Sequence, residues 1–217
     1  FRFPISALLI AGIAAMTTTA SLHAGEQDNW YLADEWSVPG SHAVAYEVNA
    51  TTGKARIYVC DSAVDKLHVY ETNGTLVREI SVSNRLRGVA VDGNGTIYVT
   101  TRNKVHAYDQ DGNSLWQVGA EYYGGGGGNG QVNDAHGIAV SPAGELFVAD
   151  FDNHRIQVLD RNGTFKRKFG SSGSDPGQFN KPVGIDFLPD GTMAIGDNSK
   201  LHFFQTDGTF IKRTNAS

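Results

Sequence analysis

The chain of 217 residues has a single cysteine, Cys60, and no excess of basic residues. One cysteine cannot form an internal disulfide, and its place in a predicted inner strand indicates a small buried hydrophobic side chain. The formal net charge is −5. Because phosphate binding requires clustered Lys and Arg, we expect no nucleic-acid partner. The one basic run, at 166–168, is typical of the solvated edge of an outer strand.

An apolar run long enough to cross a membrane is also missing. The apolar stretch 5–16 follows Arg2 and gives way to small and polar residues, and it is shorter than the about 20 residues that a membrane span needs. Residues 1–24 therefore predict a secretory signal peptide, cleaved after Ala24 or Ala20. We expect a secreted or periplasmic protein without a transmembrane anchor after cleavage.

Common catalytic signatures are absent as well. The sequence has no Gly-x-Ser-x-Gly elbow, and Cys60 lacks the partners that a thiol nucleophile needs. Five consecutive glycines at 124–128 precede a predicted strand rather than a helix, so they form no phosphate cradle. Nor is there an acidic set at the predicted channel mouth that would coordinate calcium. These absences leave hydrolase chemistry without support.

What the sequence does contain is a repeated pattern, clearest from His136 to Gly184. Short apolar runs at 137–140, 145–149, 155–159 and 164–169 are separated by turn residues, including the pairs 143–144 and 162–163. Runs of this length and alternation predict a four-stranded antiparallel meander. Such a sheet cannot bury both faces alone, so we expect it to stack against copies of itself.

Copies of this unit recur with a period of about 45 residues, which is typical of propeller blades. We place the units at 43–80, 88–119, 137–170 and 184–213. The second run of three units ends in an aspartate, at Asp61, Asp150 and Asp197, and these carboxylates are predicted to cap the adjoining turns. The sequence therefore predicts an all-β protein, a β-propeller built from four-stranded antiparallel blades.

The residues at 148–163 and 173–185 resemble the NHL repeat. This resemblance extends over 41–213, and it implies a propeller that commonly has six blades. Since about four are visible, we expect a fragment of a six-bladed ring, the alternative being an unusually small closed ring. Residues 25–40 form an N-terminal segment, in which 28–39 is either a strand that closes the ring or an apolar plug, and 41–217 holds the blades.

One position varies between blades. The residue just before each innermost strand should line the mouth of the central channel, and these residues are His42, Arg87, His136 and Val183. His42 and His136 are two blades apart, and three such histidines could hold a zinc ion. A histidine that bonds the backbone of the neighbouring blade is the alternative interpretation.

This arrangement resembles the peptidyl-α-hydroxyglycine α-amidating lyase family, propellers in which histidines from alternate blades hold zinc. The resemblance implies that His42 and His136 are metal ligands and that Arg87 contacts an anion or carbonyl. No third histidine stands at an equivalent position, since it would fall beyond Ser217, and the family's catalytic tyrosine has no identified counterpart.

We predict a binding function. The loop face would hold a protein, peptide or glycan, contacted by Arg87 and by Tyr122 and Tyr123 on the glycine-rich connector, and this function requires no cofactor. The alternative hypothesis is a zinc-dependent lyase of the amidating type. A loop that packs its own aromatic residues is the other interpretation of the two tyrosines.

Overall fold

The computed structural model describes residues 19–20, 36–37, 41–48, 53–121 and 125–215. Most of the predicted signal peptide and of segment 28–39 lies outside these ranges, as do Tyr122 and Tyr123. Two short strands are described there, β1 (Thr19–Ala20) and β2 (Trp36–Ser37), and they pair antiparallel. No helix in the described part of the chain is long and apolar enough to cross a membrane.

The rest of the described chain forms four antiparallel sheets, each with its four strands in chain order. We call them blades 1 to 4. Blade 1 contains β3 (Ser41–Val48), β4 (Ala55–Asp61), β5 (Lys66–Glu71) and β6 (Leu76–Ser81). Blade 2 contains β7 (Leu86–Val91), β8 (Ile97–Thr101), β9 (Lys104–Tyr108) and β10 (Ser114–Gly119).

Blade 3 includes a single turn of 3-10 helix. Its elements are β11 (Ala135–Val140), β12 (Leu146–Asp150), η1 (Phe151–Asn153), β13 (Arg155–Leu159) and β14 (Phe165–Phe169). Blade 4 contains β15 (Pro182–Phe187), β16 (Met193–Asp197), β17 (Lys200–Phe204) and β18 (Phe210–Asn215). These sheets confirm the predicted four-stranded blades.

Most of the described core lies between neighbouring blades, and one small cluster lies within blade 1. Three clusters of buried apolar side chains join blade 1 to blade 2, blade 2 to blade 3, and blade 3 to blade 4. Cys60 is fully buried in the first cluster, as predicted, and burial raises the pKa of its thiol. The sheets therefore depend on stacking for the burial of their faces, as expected for a propeller.

Candidate functional site

The interblade connectors and the turns between second and third strands lie on one side of the molecule. In a meander, every second turn falls at the same end of the sheet. We call this side the connector face; its described segments are 61–66, 82–86, 101–104, 119–121, 125–135, 150–155, 170–182 and 197–200. The predicted channel-mouth residues also lie here, because each is the second residue of an innermost strand: His42, Arg87, His136 and Val183.

A register shift interrupts the ladder at each of these four positions. In blade 2 it falls between Leu86 and Gly88, and in blade 3 between Ala135 and Ile138; blades 1 and 4 show the same irregularity at His42 and Val183. A bulge bends the strand and redirects a side chain. The repeat therefore places one variable residue per blade at an irregular point of the innermost strand.

Two of the four residues are brought together by an aspartate that the sequence analysis did not identify. Arg87 Nε and Nη2 donate to Asp134 Oδ1 over 3.1 and 2.9 Å, and Nη2 also lies 3.2 Å from Oδ2. His136 Nε2 lies 3.4 Å from the same Oδ2. Arg87 belongs to blade 2 and His136 to blade 3, so Asp134 links the two blades at the channel mouth.

The Asp134 carboxylate is stabilised by its two partners. Its side chain is 14 % exposed, Arg87 is 16 % exposed and His136 is 18 % exposed. Burial opposes ionisation, yet the hydrogen bond with His136 and the charge of Arg87 hold the pKa of the Asp134 carboxyl below its usual value. The contact of Asp134 with Arg87 and His136 is therefore charged and partly buried, and it remains accessible to solvent.

The backbone of Asp134 is held in the left-handed region, with φ of 51°. Its N–H donates to the Arg102 carbonyl in the preceding blade over 2.5 Å. Arg85 and Lys181 occupy the same position in blades 2 and 4, with φ of 56° and 60°. Residues other than glycine adopt this conformation at some cost and often at functional sites. The repeat thus presents a charged side chain before each of these innermost strands.

An aromatic ring completes the cluster. The His136 ring stacks on Phe151 of η1, with centroids 4.2 Å apart and planes inclined by 10°. Lys181 Nζ lies 4.8 Å from the Phe151 centroid and donates to Asp152 Oδ1 over 2.9 Å. We call Arg87, Asp134, His136, Phe151 and Lys181 the mouth cluster. It spans blades 2, 3 and 4 and presents cations around an aromatic ring.

The other predicted site residues are placed differently. His42 is exposed, and its Nδ1 lies 2.7 Å from Ser62 Oγ in its own blade. Tyr122 and Tyr123 fall outside the described residues. Within the described ranges, no three His, Cys, Asp or Glu side chains are grouped to hold a metal ion. The described residues thus offer no complete zinc site, and the zinc hypothesis stays a prediction.

The predicted turn caps are confirmed in blades 1 and 4. Asp61 accepts from Ala63 N over 2.9 Å, and Asp197 accepts from Ser199 N and Lys200 N over 2.8 Å. In blade 3, Asp150 instead accepts from Asn133 N of the connector over 2.8 Å and from Arg155 Nε over 2.7 Å. The recurring aspartates therefore have a structural role.

Comparison with known proteins agrees with the propeller fold. The family profile of the NHL repeat matches residues 132–159, which contain the end of a connector and the first three strands of blade 3. The chain is a β-propeller that contains an NHL repeat in its third blade. Protein brain tumor of Drosophila melanogaster is 30 % identical to this NHL propeller over 92 residues, a match that covers 41 % of the chain and 9 % of that protein.

Solved structures share the fold at low identity. Virginiamycin B lyase from Staphylococcus aureus superposes with a TM-score of 0.59 at 14 % identity, covering 91 % of the NHL propeller and 59 % of that chain. The WD40 domain of Neurospora crassa Pan2 gives a TM-score of 0.61 at 12 % identity, covering 81 % and 50 %. The NHL propeller therefore spans less than two thirds of each of these proteins, and the likeness shows the fold alone.

Proposed function

We propose that this NHL propeller is a binding protein that holds a protein or peptide on its connector face, over the mouth cluster. The observation that carries the proposal is the bridge from Arg87 through Asp134 to His136, stacked on Phe151. Arginine and aromatic side chains are enriched at the energetic centres of protein interfaces. NHL and other propeller proteins bind proteins, which supports the assignment.

The mouth cluster suits a peptide that carries an acidic side chain. Arg87 uses Nε and Nη2 for Asp134, and in the described contacts its Nη1 edge is left for a carboxylate or carbonyl of the partner. Lys181 and the exposed Arg85 add positive charge at the neighbouring strand entries. Opposite charge on the partner would speed association and fix its register.

We also propose that the protein is exported from the cytoplasm. The predicted signal peptide at 1–24 supports a secreted or periplasmic protein, so the partner would be met outside the cytoplasm. Under this proposal the predicted glycine-rich connector, with Tyr122 and Tyr123, extends the same binding face beyond the mouth cluster.

Peptide selection followed by point variants tests the binding site. A displayed random peptide library is selected on the intact chain, and the affinity of the selected peptides is measured by calorimetry for the parent, Arg87→Ala and His136→Ala. We expect enrichment of acidic peptides and a loss of about tenfold or more in each variant, as for central interface residues.

The matched control is Asn94→Ala, an exposed residue in the turn between β7 and β8 on the opposite face. It should bind as the parent does. Circular dichroism and thermal unfolding of each variant separate loss of binding from loss of fold. Selected peptides that bind equally well to Arg87→Ala and His136→Ala would contradict the assignment of the connector face.

A further inference from the structure

A pocket lies in blade 4, on the connector face and outside the mouth cluster. It has a volume of about 330 Å³ and lies between the connector that enters the blade and the edges of β16, β17 and β18, and its lining includes Asp197, Lys200, His202 and Arg213. This volume is at the lower end of the range of about 300–1,000 Å³ for small-molecule sites. No residue of the mouth cluster lines this pocket, so the inference does not rest on the residues that carry the proposed function.

Comparison with blade 3 explains why the pocket is there. In blade 3 the first residue of the third strand, Arg155, fills the space below the connector. Its Nη1 donates to Gly127 O over 2.9 Å, and its Nη2 donates to Gly128 O and Gln131 O over 2.9 and 3.0 Å. Lys200 is the first residue of the third strand in blade 4. A lysine lacks the planar fork that reaches several carbonyls at once.

One of the residues that line the pocket, His202, carries an unsatisfied polar atom. His202 is 1 % exposed and its Nε2 lies 3.0 Å from Asp197 Oδ2, whereas its Nδ1 has no hydrogen-bond partner in the described part of the protein. In blade 3 the corresponding side chain, Gln157, bonds both Gln131 O and Gly130 N of the connector. Buried polar atoms are nearly always satisfied, so this nitrogen points to a missing partner.

The hydrogen bonds of Asp197 and His202 indicate which group that partner should offer. Burial opposes ionisation of Asp197, but hydrogen bonds from Asn180 N, Ser199 N, Lys200 N and His202 keep the pKa of its carboxyl below the usual value. His202 Nε2 bonds Asp197 Oδ2, so Nδ1 is the ring nitrogen left for a ligand, and it accepts a hydrogen bond when Nε2 carries the ring proton. A hydroxyl group of a ligand would supply the matching donor.

Two cations at the pocket add a second requirement. Lys200 Nζ has no ion-pair or hydrogen-bond partner among the described residues. Arg213 faces His202 across the β17–β18 ladder and donates through Nη1 to the Ser174 carbonyl. Asp197 already has its full set of donors, so the two cations are free to attract an anionic group of a ligand.

We infer that the blade 4 pocket binds a small hydroxylated carboxylate of the size of a single sugar acid, with its carboxylate at Lys200 and Arg213 and a hydroxyl at His202. The serine and amide side chains around the pocket, including Ser172, Ser199 and Gln178, supply further donors and acceptors. Sugar acids combine both required groups in one small molecule.

Titration with glucuronate, monitored by two-dimensional NMR of the intact chain, tests this assignment. We expect saturable shifts at amides of 172–180 and 197–202, and weaker binding of glucose, which has the hydroxyls but lacks the carboxylate. Lys200→Gln, which removes the charge, should weaken glucuronate binding about tenfold.

Lys200→Arg is the decisive variant because it keeps the charge. A guanidinium should bond the connector carbonyls as Arg155 does, fill the pocket and abolish binding, whereas simple charge attraction would leave binding unchanged. Lys168→Gln, which removes a lysine from the outer strand of blade 3, is the control and should bind as the parent does. No saturable shift with glucuronate, equal binding of glucose, or parent-like binding by Lys200→Arg would overturn the proposal.

Discussion

Gly137 follows the channel-mouth residue His136 and lies directly against the innermost strand of blade 4. A Cβ built on Gly137 would stand 2.5 Å from Val183 O and 3.2 Å from Gly184 Cα. Both neighbours are backbone atoms, so a side chain cannot be accommodated by a change of rotamer. The close approach of the two strands therefore depends on this glycine.

Gly137→Ala should lower the free energy of unfolding by about 1–3 kcal/mol, the usual cost of overpacking a core. Urea denaturation measures the loss. The control is Gly93→Ala, because a Cβ at that exposed position would meet nothing within 4 Å. If the two variants unfold at the same urea concentration, the close packing of blades 3 and 4 does not limit stability.

Residue by residue, the sequence analysis named two of the five residues of the mouth cluster. Arg87 and His136 were found because each occupies the same register position in its repeat, and register fixes where a side chain emerges. Asp134 was missed because its role depends on a left-handed backbone and on a partner 47 residues away.

At the scale of elements, the outer strand β14 is held to its blade by charge as well as by apolar packing. Arg167 donates from Nη1 and Nη2 to the two Glu145 oxygens over 3.0 and 2.7 Å, and Lys166 Nζ also bonds Glu145. Arg167 Nη2 further reaches Thr206 O in blade 4 over 2.7 Å. The basic run is therefore only in part the solvated edge predicted, because Arg167 also lies over the Phe147 ring.

The Glu145 contacts predict a specific pH dependence. The hydrogen bond with Arg167, aided by Lys166, lowers the pKa of Glu145 to about 2. As the pH falls, Glu145 is therefore protonated in the unfolded chain before it is protonated in the folded protein. This stabilisation is complete above about pH 4.5 and is lost between about pH 4.5 and 2. Unfolding free energies across this range should fall less steeply for Glu145→Gln than for the parent.

At neutral pH, Glu145→Gln should be less stable than the parent by about 1–3 kcal/mol, with the difference vanishing near pH 2. Glu71→Gln, which removes a more exposed carboxylate paired with Arg56, is the matched control and should cost no more than about 1 kcal/mol. Parallel stability curves for parent and Glu145→Gln would show that this contact does not hold the strand.

Element boundaries illustrate where sequence patterns lose accuracy. The run predicted at 137–140 begins in the structure at Ala135, because the ladder continues past the bulge at His136. The run predicted to start at Glu145 begins at Leu146, because Glu145 N is bonded to the Ser141 Oγ of the preceding turn. Apolar alternation locates the buried residues of a strand but not its polar ends.

At the scale of the whole molecule, the repeat period was sufficient to predict the fold, because stacked sheets with one period have few ways to bury their faces. The pocket in blade 4 could not be predicted from the repeat. It arises where blade 4 differs from blade 3, at Lys200 and His202, and whether such a difference opens a pocket depends on the conformation of the connector above it.

The blades are not equally buried, and this predicts a gradient of local stability. In blade 3, β12 and β13 are buried along their whole length, whereas β16 and β17 of blade 4 alternate between buried and partly exposed residues. In a stacked array each unit is stabilised through its neighbours, and local opening follows the burial that it disrupts.

Hydrogen exchange followed by mass spectrometry should resolve this gradient in the intact chain. After correction for intrinsic rates, amides at 146–159 should exchange about tenfold more slowly than those at 193–204, which corresponds to about 1.4 kcal/mol. β4 of blade 1, buried over its second half, is the internal reference and should exchange nearly as slowly as β12. Uniform exchange across blades 1, 3 and 4 would contradict this gradient and would mean that the described sheets open as one cooperative unit. Local stability would then be governed by the inter-blade clusters rather than by the burial of single strands.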